Sequence, residues 1–173
     1  MTYQQFLVMG LDAVTIVLPE KAMEALKRRA ESEGKALEEI VNEAVFDQLN
    51  IIDPEARAEL YLKLCEKYMR EAEDLLTKKD YVQASEKAWG AASQSVKALA
   101  AKEGKELRGH ASLWEYMDRV AGELGDLELR RLWRTANILH QNFYENWMPP
   151  REVELSIEDV KSFIEKLRET TLT

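Results

Sequence analysis

Apolar residues recur every three or four positions along most of the chain. This interval places them on one face of an α-helix, because the helix has about 3.6 residues per turn. A run of β-branched residues, which favours a strand, occurs near the N-terminus. The pattern therefore predicts an all-α protein with one short strand at its beginning.

The N-terminal part of the chain has its own pattern. The run from Val14 to Leu18 predicts a strand, and two amphipathic helices follow it on either side of Gly34, a residue typical of helix ends. One strand and two short helices bury too little surface to be stable alone, and the strand needs a partner. We therefore expect residues 1–50 to form a strand-helix-helix dimerisation module whose strand pairs with that of a second copy.

Residues 51–173 carry the pattern of successive longer helices. The first begins at Asp53-Pro54, an N-cap followed by a first-turn proline. The second, from Tyr81 to Glu103, is rich in small residues, which let neighbouring helices approach closely. We place this helix at the centre of an up-and-down bundle of four to five helices.

Capping patterns predict where the remaining helices start. Ser112 and Glu115 have capping-box spacing, Asp126 is suited to cap the next helix, and Ser156 is predicted to open the last one. The fourth helix must end before Pro149-Pro150. The last helix is expected to face inward with Ile157, Val160, Ile164 and Leu167.

Composition narrows the class of protein. The net charge of −8 argues against broad binding to nucleic acid, and the cluster of Arg130, Arg131 and Arg134 is interleaved with acidic residues. The single cysteine, Cys65, excludes an intramolecular disulfide and a cysteine zinc site, and we expect it to be buried. The apolar runs are too short to span a membrane and the N-terminus lacks a signal peptide, so we expect a cytoplasmic protein.

The stretch WRTANILHQNFYENWMPP, residues 133–150, carries the candidate chemistry. His140 is suited to general acid–base catalysis near neutral pH, and Arg134 to stabilising charge on a phosphate. At about 100° per residue, the two side chains diverge by about 120° around one helix. We therefore expect them to converge only across a two-fold axis between two copies.

Other polar residues of this stretch have two interpretations each. Asn137 and Tyr144 lie beside His140 and would support it, while Gln141 and Glu145 lie nearer Arg134 and are candidate binding residues. Alternatively, His140 bonds to Asn137 or the backbone, Arg134 pairs with Glu145, and the surplus amides form a polar dimer seam. His110, the second histidine, either contributes to a binding site or caps a helix. The spacing of carboxylates around the histidines does not predict a metal site.

Three segments carry a family resemblance: DYVQASEKAWGAASQSVKALAAKEG, GHASLWEYMDRV and RTANILHQNFYENW. They resemble the helical HEPN superfamily, and within it the archaeal PaREP family, over about residues 54–170. The resemblance implies a bundle of four or five helices, commonly homodimeric. Many such proteins are metal-independent ribonucleases or toxins paired with an antitoxin, and others bind nucleotides or have lost activity. Their Arg–His signature is matched by Arg134 and His140, with Thr135 where active members often have Asn, Asp or His.

The N-terminal module resembles a ribbon-helix-helix protein. In DNA-binding members, the outward strand side chains are polar or basic, whereas Val17 stands at such a position here. Residues 1–50 have five Lys and Arg against nine Asp and Glu, a local net charge of −4. These features favour dimerisation over operator binding.

Three functions remain open at this point. The first is a homodimeric, metal-independent ribonuclease of toxin type that acts through Arg134 and His140. The second is a non-catalytic dimeric module that binds a nucleotide or an antitoxin-like partner protein, and the third is a DNA-binding regulator. In the first, the 2′-hydroxyl of RNA supplies the nucleophile, so no cofactor is expected.

Overall fold

The computed structural model describes residues 14–170, which form seven α-helices and contain no strand. The chain divides into two compact units between Ile51 and Ile52. The helices are α1 (Glu20–Glu33), α2 (Leu37–Gln48), α3 (Pro54–Thr77), α4 (Tyr81–Lys102), α5 (Gly109–Leu124), α6 (Leu127–Glu145) and α7 (Pro150–Thr170).

The first unit contains the two predicted helices without the predicted strand. Gly34 ends α1 in the left-handed conformation, with φ of 61°, and α2 starts three residues later. Residues 14–19 have no regular secondary structure, and Val14 and Val17 are 86% and 96% exposed. A strand needs a neighbouring strand for its backbone hydrogen bonds, and the described residues of one chain offer none. The prediction of a strand is therefore not confirmed.

Helix α4 is the centre of the second unit, as its small residues predicted. It packs against α3, α5, α6 and α7. A side chain at Gly90 would place its Cβ 3.2 Å from the Tyr68 ring of α3, which shows how closely these two helices approach. The alanines of α4 that are 3% exposed or less are Ala84, Ala88, Ala91, Ala92, Ala98, Ala100 and Ala101.

Aspartate caps set the beginnings of three helices in this unit. Asp53 accepts a hydrogen bond from the Glu55 backbone N–H at the start of α3, which confirms the predicted Asp53-Pro54 start. Asp80 caps α4 in the same way. The predicted cap at Asp126 is also confirmed, because its carboxylate accepts a 2.9 Å hydrogen bond from the Leu129 N–H. Each cap satisfies a backbone donor that the helix itself leaves without an acceptor.

Two predicted starts were wrong. Helix α5 begins at Gly109, and the Ser112 hydroxyl donates to the carbonyls of Arg108 and Gly109 instead of accepting at a helix start. Helix α7 begins at Pro150, six residues before Ser156, whose side chain lies buried on the inner face of the helix. In both cases the serine lies inside the helix. The glycine or proline at the first position marks the helix start more strongly than the serine does.

The inward face of α7 agrees with the prediction: Ile157, Val160, Ile164 and Leu167 are all buried. Cys65 is buried as well, and burial raises the pKa of its thiol to about 12. Every helix in the described part of the chain is too short or too polar to cross a bilayer.

Candidate functional site

The two histidines of the chain meet where the start of α5 lies against the last turns of α6. The Nε2 atoms of His110 and His140 are 3.0 Å apart, so one proton lies between them. His110 is exposed, whereas the His140 side chain is only 16% exposed. The contact thus joins a solvent-facing imidazole to a shielded one.

Glu86 of α4 is hydrogen-bonded to the other ring nitrogen of His140. Its Oε2 atom is 2.8 Å from Nδ1 of His140, so Nδ1 carries a proton and donates it to the carboxylate. A neutral His140 then accepts a hydrogen bond from His110 at Nε2, while an imidazolium donates to both neighbours. The result is a carboxylate–imidazole–imidazole chain that can hold or pass a proton.

Aromatic rings pack against this carboxylate–imidazole–imidazole chain. The Trp89 ring stacks on His140 with centroids 3.9 Å apart, and on His110 at 5.1 Å. Tyr144 meets His140 edge-on at 5.2 Å. Trp89 is 8% exposed, so it forms a rigid base under both histidines.

The environment lowers the pKa of His110. Partial burial opposes the charged form, and the nearby His140 and Lys97 repel a second positive charge. Glu86 acts in the opposite direction. His110 therefore stays neutral at pH values where an ordinary histidine is already partly protonated.

A buried amide sets the position of α6 against α4. Asn142 is 1% exposed, and its Nδ2 donates a 3.0 Å hydrogen bond to the hydroxyl of Ser85. Its Oδ1 accepts from the backbone N–H groups of Trp147 and Met148, at 3.0 and 2.8 Å. Ser85 directly precedes Glu86, and Asn142 is two residues after His140, so this tie holds the Glu86–His140 pair in register.

Arg134 lies at a different place on α6. It is exposed and lines a cleft between α5 and α6 together with Trp114, Met117, Asp118, Arg130 and Trp133. Within one chain, the residues bonded to His140 are His110 and Glu86. This arrangement agrees with the divergence of Arg134 and His140 expected from helix geometry.

The other predicted residues make local contacts. Asn137 donates to the Trp133 carbonyl of its own helix at 2.8 Å. Gln141 and Glu145 bond to each other on the exposed surface at 3.1 Å. Of the predicted residues, the structure therefore brings together His110, His140 and Tyr144, and leaves Asn137, Gln141 and Glu145 outside this group.

Glu86 and Trp89 were not predicted, although both lie in one of the segments that carry the family resemblance. Their spacing of three residues places them on the same face of α4. A carboxylate and an indole on the inner face of an alanine-rich helix are unusual enough to be noticed. Their partner, however, is on another helix, and the sequence pattern does not identify it.

Among the described residues, no three His, Cys, Asp or Glu side chains are grouped so that they could bind a metal ion. The nitrogen atoms of the histidine pair that face inward are already engaged by each other and by Glu86. A carboxylate and two imidazoles in contact can transfer a proton and stabilise charge.

Comparison with known proteins places this site within a family. The profile of the archaeal PaREP1/PaREP8 family matches residues 60–164, which include both histidines, Glu86 and Trp89. The chain belongs to the archaeal PaREP1/PaREP8 family. Comparison with functionally curated proteins gave no significant match.

A solved structure is similar to this member of the PaREP1/PaREP8 family. It is the crystal structure of a protein from Sulfolobus solfataricus with 27% sequence identity and a TM-score of 0.54. The similarity covers 62% of this chain and 96% of that one. The bundle thus occurs in a protein that spans little more than the matched region.

Replacing Asn142 with alanine should destabilise the second unit. The change removes the acceptor of two backbone N–H groups and the partner of Ser85, which should lower the free energy of unfolding by about 1–3 kcal/mol. The measurement is urea unfolding followed by circular dichroism. Asn137→Ala is the matched control, because Asn137 bonds only within its own helix. Equal losses in the two variants would contradict the role given to Asn142.

The titration of His110 tests the environment described for the histidine pair. Its NMR-detected pKa should lie below the ordinary value of 6.5, and His140→Gln should raise it by removing a positively charged neighbour. A depressed pKa means that the unfolded chain binds the proton first as the pH falls below 6.5. The free energy of unfolding should therefore decrease across that window, and His110→Gln should remove this contribution. A His110 pKa above 6.5 in the native chain would contradict the described environment.

Proposed function

We propose that this PaREP1/PaREP8 protein is a HEPN-like, metal-independent endoribonuclease that works as a homodimer. The proposal is supported mainly by the contact between His110 and His140, with Glu86 bonded behind His140. Two imidazoles side by side supply both a base and an acid, which is what metal-free cleavage of RNA requires. The proposal changes the predicted pair, since His110 takes the place beside His140 that Arg134 was expected to occupy.

The lowered pKa of His110 and the bond between Glu86 and His140 assign the catalytic roles. The lowered pKa of His110 keeps it neutral, so it is the general base that takes the proton from the 2′-hydroxyl of RNA. The freed oxygen attacks the adjacent phosphorus, forming a 2′,3′-cyclic phosphate as the bond to the 5′-oxygen breaks. In its protonated form, His140 donates its Nε2 proton to that leaving oxygen, while its Nδ1 stays bonded to Glu86. Glu86 is a positioning residue, because it acts through His140.

The substrate must enter between the two rings for this reaction. His110 is the exposed member of the pair and lies in the first turn of α5, whereas Trp89 and Glu86 hold His140. We therefore assign the movement to the His110 side chain, which turns outward to accept the 2′-hydroxyl. The scissile phosphate then lies over the Nε2 atom of His140.

Cleavage of a labelled single-stranded RNA in the presence of a metal chelator tests this proposal. His110→Ala and His140→Ala should each lower the rate by about 100-fold or more, the contribution of a general acid or base. Glu86→Gln should lower kcat more than it changes KM and should alter the pH profile. Glu154→Gln, a change at a half-exposed glutamate of α7 that pairs with Arg151, is the matched control.

Equal background rates in the native chain and in both histidine variants would overturn the ribonuclease proposal. The histidine site would then belong to a non-catalytic binding module, one of the alternative functions expected from the sequence.

The homodimer is supported by the segment from Val14 to Leu18, in which Val14, Ile16 and Val17 are exposed. In a ribbon of two such segments, Val14, Ile16 and Leu18 face one side and Thr15 and Val17 the other. Ile16 and Val17 are 57% and 96% exposed in one chain, so neither is needed for its own packing. The acidic charge of residues 1–50 supports a dimerisation role over DNA binding.

A matched pair of variants tests the dimer. Ile16→Glu should give a monomer in sedimentation equilibrium, because it buries a carboxylate in the paired face. Val17→Glu puts the same charge on the outward face and should leave the dimer intact. A native chain that sediments as a monomer, or a dimer that survives Ile16→Glu, would contradict pairing through this segment.

A further inference from the structure

Helices α5 and α6 run antiparallel and touch through three successive side-chain pairs, which we call the α5–α6 seam. The pairs are His110 with His140, Trp114 with Trp133, and Asp118 with Arg130. From one pair to the next, the residue number increases in α5 and decreases in α6, so the three pairs lie in a single line along the two helices. The line leads from the proposed cleavage site to the cleft that contains Arg134.

The middle pair offers an aromatic surface to solvent. Trp114 is 40% exposed and meets Trp133 edge-on, with ring centroids 5.8 Å apart. Trp133 is 2% exposed and stacks on Phe163 of α7, so it is fixed in the core. An indole that is half open to solvent and supported from below by a fixed ring is suited to stack a planar ligand.

Arg134 places a cationic side chain beside this aromatic surface. Arg130 is engaged by the Asp118 carboxylate and by its backbone carbonyl. Arg134, one turn further along α6, is exposed and makes no hydrogen bond or ion pair within the described residues. Its guanidinium is therefore available for an anion, and guanidinium groups bind phosphate oxygens in a bidentate manner.

The floor of the cleft contains a polar atom without a partner. The indole Nε1 of Trp133 is buried and has no hydrogen-bond acceptor among the described residues. Buried donors normally have one. This unsatisfied donor belongs to one of the residues that line the cleft.

We propose that Trp114 and Arg134 form a subsite for the nucleotide next to the scissile phosphate of single-stranded RNA. The base stacks on Trp114, and the phosphate of that nucleotide binds Arg134. This inference rests on the proposed ribonuclease function for the direction of the strand along the seam. It gives Arg134 a role within its own chain, which the predicted pairing with His140 did not.

The dimensions of the seam agree with this assignment. Trp114 follows His110 by four residues, a rise of about 6 Å along α5. A neighbouring nucleotide of the same strand reaches that far from the histidine pair. The cleft holds only about 100 Å³, less than pockets that enclose a whole ligand, which have about 300–1,000 Å³. The base therefore lies on the open face of Trp114, as in sequence-tolerant single-strand binding.

Fluorescence anisotropy of a labelled 2′-O-methyl oligoadenylate tests the subsite, since this strand lacks the nucleophilic hydroxyl and stays intact. Trp114→Ala should weaken its binding by about 5- to 150-fold, the range that stacking energies of about 1–3 kcal/mol give. Trp114→Phe should retain most of the affinity. Arg134→Gln should weaken binding and reduce its dependence on salt concentration.

Matched controls are available outside the seam. Trp147 is 53% exposed beyond the end of α6, and Arg151 is an exposed residue of α7, so Trp147→Ala and Arg151→Gln should bind as the native chain does. Circular dichroism of Trp114→Ala should show the native helix content, because the change is at a half-exposed side chain. Native affinity in both Trp114→Ala and Arg134→Gln would overturn the subsite.

The two proposals can fail separately. If His140→Ala stops cleavage while Trp114→Ala binds like the native chain, the ribonuclease stands and the subsite is wrong. If the native chain does not cleave RNA but loses oligoadenylate binding on Trp114→Ala, the subsite stands as part of a binding module. Duplex RNA that binds as tightly as the single strand would also overturn the subsite, because paired bases cannot stack on Trp114.

Discussion

The geometry of the candidate site depends on the hydrogen bonds of one buried amide. Asn142 joins α4 through Ser85 and, through the same side chain, ends α6 by accepting from the backbone of the turn that follows. A buried polar group is stable only when its hydrogen bonds are satisfied, so its few allowed positions restrict how the two helices slide past each other. The Glu86–His140 contact is one residue away on α4 and two residues away on α6, so the same hydrogen bonds restrict its position.

Helix α4 serves both the fold and the site. Its alanines let four neighbouring helices pack closely, and the same helix presents Glu86 and Trp89 to the histidines of α5 and α6. The proposed catalytic roles depend on this arrangement, because a carboxylate and two imidazoles from three different helices can act together only if a common support holds them. The α5–α6 seam extends the same surface away from the histidine pair.

The sequence predicted the helical bundle well, because its signals are local. Asp53, Gly34 and Asp126 mark helix ends through contacts within a few residues, and the small residues of α4 mark the centre. The site depends on contacts between residues 30 and 54 positions apart. The periodicity of apolar residues along one helix gives no information about such contacts. The helical periodicity of α6 did place Arg134 and His140 on different faces. It could not reveal that His110 and Glu86 occupy the space around His140. Ser112 and Ser156 misled because a serine inside a helix resembles a cap in sequence.

The alanine-rich character of α4 has one more consequence, which concerns entropy. A buried alanine side chain has no rotamers to lose on folding, whereas longer side chains lose up to about 2 kcal/mol each. The centre of the bundle therefore becomes ordered at little side-chain entropy cost, and close contacts between helix backbones supply the cohesion. Glu86 and Trp89 thus project from a helix whose own packing immobilises few flexible side chains.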